Sequence, residues 1–376
     1  MKVFFAGYNI ITSLGLSVEE NVKQILKNKT GVQICNNPEW TIEPTPLSVV
    51  DRKPIEEKIN GDFTIFEKFL IYSIKESLKS NPKFDIEDSK TLIIISTTKG
   101  NIELLDKEKA QNYSKDRIHL WASAKIVQNY FNNPNQPLVI SNACISGVQA
   151  LIAGMREIKS GRYKHIVVAG ADVVSHFVVS GFQSFKSLSP GACQPFDKDR
   201  VGLSLGEGAA TILLSKNENL AQSKEIIFVS GATANDANHI SGPSRTAEGQ
   251  FYAMKRAKVE LENIDFISAH GTATPYNDDM ESVALKRHGL ETVPVNSFKG
   301  YFGHTLGAAG LIESALSIYS LQNNILFKTL GFKNSGTVEN INVIKEHREQ
   351  KIHTVLKLGS GFGGSNAALI IKKTKK

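Results

Sequence analysis

Two hydrophobic patterns alternate along the chain: short continuous apolar runs, and longer stretches in which apolar residues recur every three or four positions. The continuous runs at Thr91–Ser96, Leu138–Ile140 and His165–Ala169 are typical of strands that are covered on both faces. From Val148, apolar residues recur at the helical spacing, which predicts a helix over 147–160. Strands and helices that alternate in this way favour an α/β fold.

The second half of the chain repeats this order of elements. Its pattern predicts one helix and four strands, at 308–321, 264–269, 293–295, 355–358 and 367–371. No linker rich in proline or serine separates the two parts of the chain. We therefore expect two similar α/β halves, 1–225 and 226–376, that share one core and do not fold as separate domains.

Composition and cysteine content exclude several classes of protein. The chain has 376 residues, of which 41% are hydrophobic and 22% charged, and such a chain can bury a core without disulfide or metal support. Its three cysteines are far apart and form no CxxC pair, so we expect neither a disulfide framework nor a structural zinc site. A reducing, cytoplasmic setting fits this cysteine content best.

Hydropathy and charge restrict the partners of the chain. We expect no membrane segment, because no stretch approaches the roughly 18 consecutive apolar residues of a spanning helix. The short apolar run after Met1 is interpreted as an opening strand and not as a signal peptide. The net charge of +7 is modest and the basic residues do not cluster with aromatic ones, so nucleic acid is not an expected partner. This weak excess of positive charge favours an acidic partner.

Cys144 is the candidate nucleophile. It lies in the segment 141–147, between the strand predicted at Leu138–Ile140 and the helix predicted over 147–160. Unpaired backbone N–H groups and the positive end of the helix dipole meet at such a position, and both favour the thiolate over the thiol. We therefore expect a lowered pKa for Cys144 and a nucleophilic role. The structural alternative is a small buried cysteine that fills a gap in the core.

Two histidines strengthen that interpretation. His270 and His304 each lie in a glycine-rich turn after a predicted strand, and functional sites in α/β proteins gather at the carboxyl ends of strands. With Cys144 they form a candidate Cys-His-His set. Lys299 precedes His304 by five residues and Glu313 follows it by nine, and a buried lysine here would keep both imidazoles neutral by charge repulsion. A solvated surface lysine is the alternative that spacing leaves open.

The glycine-rich segment 359–364 satisfies the pattern G-x-G-x-x-G. A dinucleotide-binding site would need a further helix, a second strand and an acidic residue about 20 positions on, and the twelve residues that follow leave no room for them. A hinge fits the segment better, because its glycines would let Phe362 swing and would bring backbone N–H groups near the thiol.

Five motifs in a fixed order give the chain its resemblance to a known family. They are Asn142–Gly147, Pro195–Arg200 with Gly206–Gly208, His270–Pro275, Lys299–Gly310 and Gly361–Gly364. In these motifs the chain resembles the elongating β-ketoacyl-[acyl-carrier-protein] synthases of the thiolase superfamily. The resemblance implies the thiolase fold, with two duplicated βαβαβαββ halves in a five-layered α-β-α-β-α arrangement. The nucleophile would lie in the first half, and the two histidines and the glycine-rich gate in the second.

The resemblance also assigns roles to the candidate residues. Cys144 would receive an acyl group from acyl carrier protein as a thioester. His270 and His304, with Lys299 nearby, would promote decarboxylation of malonyl-carrier protein, and the resulting carbanion would attack the thioester and extend the acyl chain by two carbons. The backbone N–H groups of Cys144 and Phe362 would form the oxyanion hole, and Phe362 would also act as the gate.

Other residues are implied as substrate contacts or as neighbours of the site. They are Thr272 and Thr274 for the pantetheine arm, Phe182 for the acyl pocket, Gly361 and Gly363 beside the gate, and Glu313 as a structural neighbour. The resemblance implies no cofactor and no metal, because the substrates are carried on the phosphopantetheine of acyl carrier protein. It further implies a homodimer formed through a central strand.

Proteins with related activities would differ from this chain at specific positions. A thiolase would need a second cysteine near the C-terminus, but none follows Cys193. An initiating synthase would carry asparagine in place of His304. A chain-length-factor-like subunit would typically lack Cys144, yet a heterodimer with another ketosynthase-like subunit stays open. The pathway also stays open between fatty acid biosynthesis and a polyketide-like pathway such as that of aryl polyenes.

Overall fold

The described residues of the first half of the chain supply eight strands and seven helices to the fold. The structure is a computed structural model and describes residues 1–222, 225–258 and 264–374. The strands of this half are β1 (Phe4–Ile11), β2 (Val32–Cys35), β3 (Thr45–Ser48), β4 (Thr91–Ser96), β5 (Leu138–Ile140), β6 (His165–Asp172), β7 (Leu205–Gly206) and β8 (Gly208–Ser215). Its helices are α1 (Val18–Leu26), α2 (Lys53–Lys58), α3 (Ile65–Lys79), α4 (Lys107–Ala110), α5 (Leu120–Tyr130), α6 (Ser146–Lys159) and α7 (His176–Ser184).

The second half repeats much of this order. Its described strands are β9 (Ile226–Asn235), β10 (Phe266–Ser268), β11 (Val295–Asn296), β12 (Ile325–Leu326), β13 (Arg348–Glu349), β14 (Thr354–Gly361) and β15 (Ser365–Lys373). Its described helices are α8 (Glu248–Arg256), α9 (Pro275–Arg287), α10 (Lys299–Phe302) and α11 (Ala309–Asn323). Short 3₁₀ turns are found at Ile102–Leu105, Lys115–Ile118, Glu218–Leu220, Leu306–Ala308 and Phe362–Gly364.

Each half contributes five strands in the same order to one ten-stranded sheet. The first half gives β5-β4-β6-β8-β1 and the second gives β11-β10-β14-β15-β9. In both halves the three strands at the outer end run parallel, the fourth strand is antiparallel to them, and the fifth is antiparallel to the fourth. The halves join where β1 meets β9, at the pair Phe4 and Ile227. This continuous sheet is a feature that the sequence pattern does not reveal.

The helices form layers on both sides of the two five-stranded units. Helices α6 and α11 contact each other and strands of both units, so they form the central layer. Helix α3 packs on the outer face of the first unit, and α8 packs on the outer face of the second. Three hydrophobic clusters fill the spaces between these layers. The α/β class and the five-layered thiolase fold are therefore confirmed, whereas the division at residue 225 stays a prediction.

Small residues let the two central helices approach closely near their N-termini. A Cβ atom on Gly147 would lie only 2.8 Å from the backbone nitrogen of Leu311. A Cβ on Gly310 would lie 2.6 Å from the backbone nitrogen of Val148. Both distances are too short for any side chain, so glycine is required at both positions. This contact brings the N-terminal ends of α6 and α11 together.

The observed bounds differ slightly from the predicted ones. The strand predicted at 293–295 begins only at Val295, because Pro294 has no N–H group to donate to a ladder. Strand β6 runs on to Asp172, three residues past the apolar run that predicts it. Among the described residues, no helix is both long enough and apolar enough to cross a membrane.

Candidate active site

The turn that presents Cys144 is held in an unusual backbone conformation. Strand β5 ends at Ile140, α6 begins at Ser146, and Ala143 has φ of +44°. A left-handed alanine costs roughly 1–2 kcal/mol, so the surrounding structure has to impose this conformation. The Ser146 hydroxyl helps to do so, because it donates to Ala143 O at 2.6 Å and accepts from the Asn142 amide at 2.8 Å.

The three predicted catalytic side chains meet in space. The Cys144 sulfur and one ring nitrogen each from His270 and His304 all lie within 4.8 Å of one another. The two imidazole rings are nearly perpendicular, with centroids 5.1 Å apart. Cys144 comes from the start of α6, His270 follows β10, and His304 precedes α11. Both halves of the chain are therefore needed to build the site.

The protonation state of Cys144 differs from the sequence-based expectation. Burial raises the pKa of its thiol to about 11, and the nearby positive charges of Lys99 and Lys299 only partly oppose this effect. The expected lowering of the pKa is therefore wrong for the unliganded protein. The helix N-terminus remains beside the sulfur, but removal of the thiolate from water raises the pKa by more than the helix dipole lowers it. Cys144 rests as a thiol and needs a base when it reacts.

His270 is oriented by Lys299. The Lys299 ammonium lies 3.4 Å from Nδ1 of His270 and also donates to its backbone carbonyl oxygen. An ammonium can only donate, so Nδ1 accepts and the ring proton lies on Nε2. Burial, Lys299, His304 and Lys357 together hold the pKa of His270 well below its usual range. His270 is therefore a neutral imidazole with an N–H group available to a ligand.

His304 has no hydrogen-bond partner for either ring nitrogen within the described part of the chain, although the residue is almost fully buried. Its backbone is fixed instead, because the His304 amide donates to Ser204 O at 2.7 Å. Burial and the positive charges of Lys299, Lys99 and Lys357 hold the pKa of His304 well below its usual range. A buried polar group without a partner is costly, and this ring faces the place where a substrate would supply one.

A buried charge network lies behind the two histidines. The carboxylate of Glu313 accepts from Lys299 at 2.6 Å on one oxygen and from Lys357 at 2.6 Å on the other. Both lysines are 0% exposed and Glu313 is 1% exposed. Two ammonium groups and one carboxylate leave one net positive charge beside the imidazoles. This charge adds to the effect of burial in keeping both rings neutral.

Two buried carboxylates shape the loop that follows His270. Glu281 accepts from the His270 amide at 2.7 Å and from the next amide at 2.6 Å. Asp278 accepts from the Thr272 amide at 3.0 Å and from the Ala273 amide at 3.2 Å. Burial raises the pKa of Asp278 to about 7. Both side chains come from α9, and they hold the loop in the conformation that places His270 and the two threonines.

A cavity of about 370 Å³ opens onto the three reactive side chains. Thr272 and Thr274 line it with their hydroxyl groups 2.8 Å apart. Phe182 also lines it and stacks on Phe362, with ring centroids 5.7 Å apart. Phe185 packs edge-on against Phe362 at 5.3 Å and is 51% exposed. One wall of the cavity is thus polar and another is aromatic.

The glycine-rich segment passes directly over the Cys144 backbone. A Cβ atom on Gly361 would lie 3.0 Å from the Cys144 nitrogen, so any side chain here would push the two backbone segments apart by a few tenths of an ångström. Gly361, Phe362 and Gly364 line the cavity, whereas Gly363 is exposed and is not among the lining residues. Gly363 and Gly364 have φ of +76° and +73°, which suits a turn that carries Phe362. A substrate contact by Gly363 stays a prediction.

The three reactive side chains are also of the types that bind metal ions. Among residues 1–222, 225–258 and 264–374, one group of three or more histidine, cysteine, aspartate or glutamate side chains is close enough to share an ion, and it consists of Cys144, His270 and His304. Cysteine and histidine are the ligands that zinc prefers. However, Lys299 contacts His270 directly, and a positive charge here would repel a metal dication. The surroundings favour an anion, such as an enolate, over a metal ion.

Two family profiles match the sequence. The profile of the Beta-ketoacyl synthase, N-terminal domain, matches residues 85–219, and that of the C-terminal domain matches residues 226–333. Together they cover more than half of the chain. The chain belongs to the β-ketoacyl synthase family.

Individual relatives match over nearly the whole length. A putative mitochondrial 3-oxoacyl-[acyl-carrier-protein] synthase of Schizosaccharomyces pombe is 29% identical, over 99% of each chain. The 3-oxoacyl-[acyl-carrier-protein] synthase 2 of Rhizobium meliloti is 26% identical, also over 99% of each chain. Among solved structures, the ishigamide ketosynthase/chain length factor has a TM-score of 0.89 at 24% identity, and the match covers 100% of this chain and 99% of the other. That last likeness concerns the fold alone.

The sequence of this β-ketoacyl synthase does not by itself predict several residues of the site. They are Lys99, Phe185, Asp278, Glu281 and Lys357. Asp278 and Glu281 are three residues apart, which places them on one face of a helix, and this was a usable signal. A lysine at position 357, inside an otherwise apolar strand, was a second signal. Nothing in the local sequence marks Lys99 or Phe185.

Proposed function

We propose that this β-ketoacyl synthase catalyses the decarboxylative condensation of a malonyl thioester with an acyl group on Cys144. The substrates would be carried by acyl carrier protein, and the product would be a 3-oxoacyl thioester two carbons longer. The observation that carries the proposal is the meeting of one thiol and two neutral imidazoles within 4.8 Å, in a cavity. Such groups supply a nucleophile and two hydrogen-bond donors without a redox cofactor or a metal.

The first step is acyl transfer to Cys144. Because the thiol is protonated at rest, a neutral imidazole accepts its proton as the sulfur attacks the incoming thioester carbonyl. His304 suits this task by position, since both of its ring nitrogens are unpartnered within the described residues, and its lowered pKa keeps the ring neutral with a lone pair free to accept. A new carbon–sulfur bond forms on Cys144, and the carrier thiol leaves with the proton.

The second step is decarboxylation of the malonyl group. The carbon–carbon bond to the carboxylate breaks, carbon dioxide leaves, and the electron pair forms an enolate at the thioester. His270 donates from Nε2, and His304, neutral again after it has given its extra proton to the carrier thiol, donates its N–H to the enolate oxygen. The net positive charge of Lys299, Lys357 and Glu313 further stabilises this anion at short range.

The third step joins the two fragments. The enolate carbon attacks the Cys144 thioester, and the tetrahedral oxyanion is held by the backbone N–H groups of Cys144 and Phe362. The tight approach of Gly361 to the Cys144 nitrogen supports this assignment, because it brings the two backbone segments together. When the carbon–sulfur bond breaks, the sulfur leaves as a thiolate and takes up a proton from water.

The cavity provides places for the carrier arm and the acyl chain. Thr272 and Thr274 would hydrogen-bond the amide groups of a pantetheine arm, because their hydroxyls face the same cavity. Phe182 would line the acyl pocket, with Phe362 as its gate. Lys186 is exposed at the cavity and is the candidate contact for an acidic carrier protein.

An assembly of two chains is part of the proposal. Strand β5 forms one end of the ten-stranded sheet, and Leu138 on it is 39% exposed. An apolar edge strand with free backbone groups favours pairing with a second chain. The partner would be a second copy or another ketosynthase-like subunit. A purely chain-length-factor-like role is less well supported, since Cys144, His270 and His304 converge. The cytoplasmic location stays a prediction.

Intact-protein mass spectrometry tests the proposal. Incubation with acyl-carrier thioesters of several chain lengths should add one acyl mass to the protein, and Cys144→Ala should abolish that gain because the nucleophile is missing. Cys35→Ala is the matched control and should still be acylated, since Cys35 lies on β2 and is not one of the three side chains of the reactive set. Acylation of Cys144→Ala at the normal rate would contradict the proposed nucleophile.

A further inference from the structure

Lys357 lies in the middle of β14, in the sequence Thr-Val-Leu-Lys-Leu-Gly, and is 0% exposed. Its ammonium makes three hydrogen bonds to oxygen atoms. It donates to Glu313 Oε2 at 2.6 Å, to Ser268 O at 3.2 Å and to Ala269 O at 3.1 Å. All three protons of the ammonium therefore have an acceptor. An apolar side chain would satisfy the strand at much lower cost, because a buried ammonium loses its hydration.

The acceptors of Lys357 connect it to the reacting groups by two routes. Ser268 is the last residue of β10 and Ala269 lies between it and His270, so the ammonium fixes the backbone that carries the imidazole. The second route passes through Glu313. The other carboxylate oxygen of Glu313 accepts from Lys299, whose ammonium contacts His270. Loss of the Lys357 charge would disturb both routes.

We propose that Lys357 is a positioning residue for the decarboxylation step, because its ammonium fixes the end of β10 that carries His270 and supplies half of the buried positive charge beside both imidazoles. This inference rests on the proposed function. Lys357 touches no reacting atom, so its effect would be transmitted through His270, Lys299 and Glu313.

The charges around the two histidines predict how loss of the Lys357 charge should change the pH dependence of decarboxylation. Lys299, His304 and Lys357 lower the pKa of His270, and Lys299, Lys99 and Lys357 lower that of His304. Without the Lys357 charge, one carboxylate would face a single ammonium, and Glu281 would still face the His270 amide. The loss of one positive charge beside the rings, with both carboxylates still in place, favours the protonated imidazoles. Because decarboxylation needs neutral rings in this scheme, its loss on acidification should begin at a higher pH.

The test compares Lys357→Met, Lys357→Arg and the matched control Lys351→Met, since Lys351 is an exposed lysine just before β14. Cys144 acylation is followed by mass and malonyl decarboxylation by carbon dioxide release, each across a pH series. We expect Lys357→Met to retain acylation and to lose decarboxylation by about tenfold to a hundredfold, the range expected from misplacement of a catalytic group. The midpoint of its acid limb should move to higher pH. Lys357→Arg should recover part of the rate, and Lys351→Met should match wild type.

The outcomes separate this inference from the function on which it rests. If wild type neither acylates nor decarboxylates, the proposed function fails whatever the variants do. If wild type is active and Lys357→Met decarboxylates at the same rate with an unmoved acid limb, the positioning role is wrong. An equal loss of acylation and decarboxylation in Lys357→Met, with a lowered melting temperature and no recovery in Lys357→Arg, would show a structural role and would also overturn the inference.

Discussion

The two halves of the molecule share one strand order but use buried charge differently. In the first half, the buried carboxylate of Glu67 is paired with Arg117 at 2.7 Å, and that of Glu207 with Arg52 at 2.5 Å. Both arginines reach partly into solvent. In the second half, Glu313 and its two lysines are enclosed behind the histidines. In the first half these ion pairs hold segments of the chain together. In the second half they lie where they control the protonation of the two histidines.

The comparison extends to the two central helices. Helix α6 follows β5 and begins beside Cys144, while α11 occupies the corresponding place in the second half and follows His304. Their N-terminal turns are pressed together at Gly147 and Gly310. A duplicated fold therefore supplies two helix starts that face each other, and the residues placed there differ. This difference turns a symmetric scaffold into an asymmetric site with one nucleophile and one unpartnered imidazole.

The largest expected effect comes from removing His304, because this substitution deletes a reacting group that the second half supplies. His304→Ala should keep acylation of Cys144 at a reduced rate and lose malonyl decarboxylation by about 10²–10⁴-fold, the usual contribution of a proton-transferring group. Carbon dioxide release at saturating malonyl thioester measures the loss. His176→Ala, an exposed histidine on α7, is the matched control. Unchanged decarboxylation in His304→Ala would contradict the role of this ring.

Loss of an ion pair in the first half should have the opposite result, with lower stability and unchanged chemistry. Arg117→Met leaves Glu67 buried without its bidentate partner and should lower the free energy of unfolding by about 3–5 kcal/mol. The ratio of acylation to decarboxylation in the folded enzyme should not change. Denaturant unfolding and the two activity assays measure these quantities, with Lys115→Met, an exposed neighbour, as control. A changed ratio of acylation to decarboxylation at unchanged stability would show that the Arg117–Glu67 pair takes part in the chemistry. It would contradict the proposed difference between the two halves.

The smallest expected effect concerns Lys99, a charge of the first half that acts on Cys144. Lys99 lowers the pKa of Cys144, which burial holds at about 11, so Lys99→Met should raise that pKa further. Because alkylation requires the thiolate, iodoacetamide should react more slowly with Cys144 at pH 8–9, by roughly tenfold for each unit of pKa. Lys107→Met is the exposed control. A faster reaction in Lys99→Met would contradict the sign of this electrostatic effect.

Much of the fold and the reactive set could be predicted from the sequence. Apolar runs such as Thr91–Ser96 locate strands well, because a strand buried on both faces leaves no polar position. Cys144 and His270 lie shortly after β5 and β10, and functional sites in α/β proteins gather at the carboxyl ends of strands. His304 lies eight residues after β11 with α10 between them, so its place in the site depends on packing as well as on strand topology.

The rest depends on three-dimensional packing. The pKa of Cys144 was expected to be low because the helix terminus is visible in the sequence, while the burial that raises it is not. Lys357 interrupts an apolar strand, but only the structure shows that two carbonyl oxygens and Glu313 receive its protons. The continuous sheet through Phe4 and Ile227 likewise depends on how the halves are placed. Long-range burial and pairing are not local properties of a sequence.

The central claim is that the two halves meet to form one condensing site, and a single-turnover reaction tests it most directly. Protein that is first acylated on Cys144 and then freed of excess substrate would be mixed with carboxyl-labelled malonyl-carrier thioester. The account predicts that one labelled carbon dioxide is released for each 3-oxoacyl thioester formed, and that Cys144 loses its acyl mass at the same rate. Retention of the acyl group on Cys144, with or without carbon dioxide release, would contradict it.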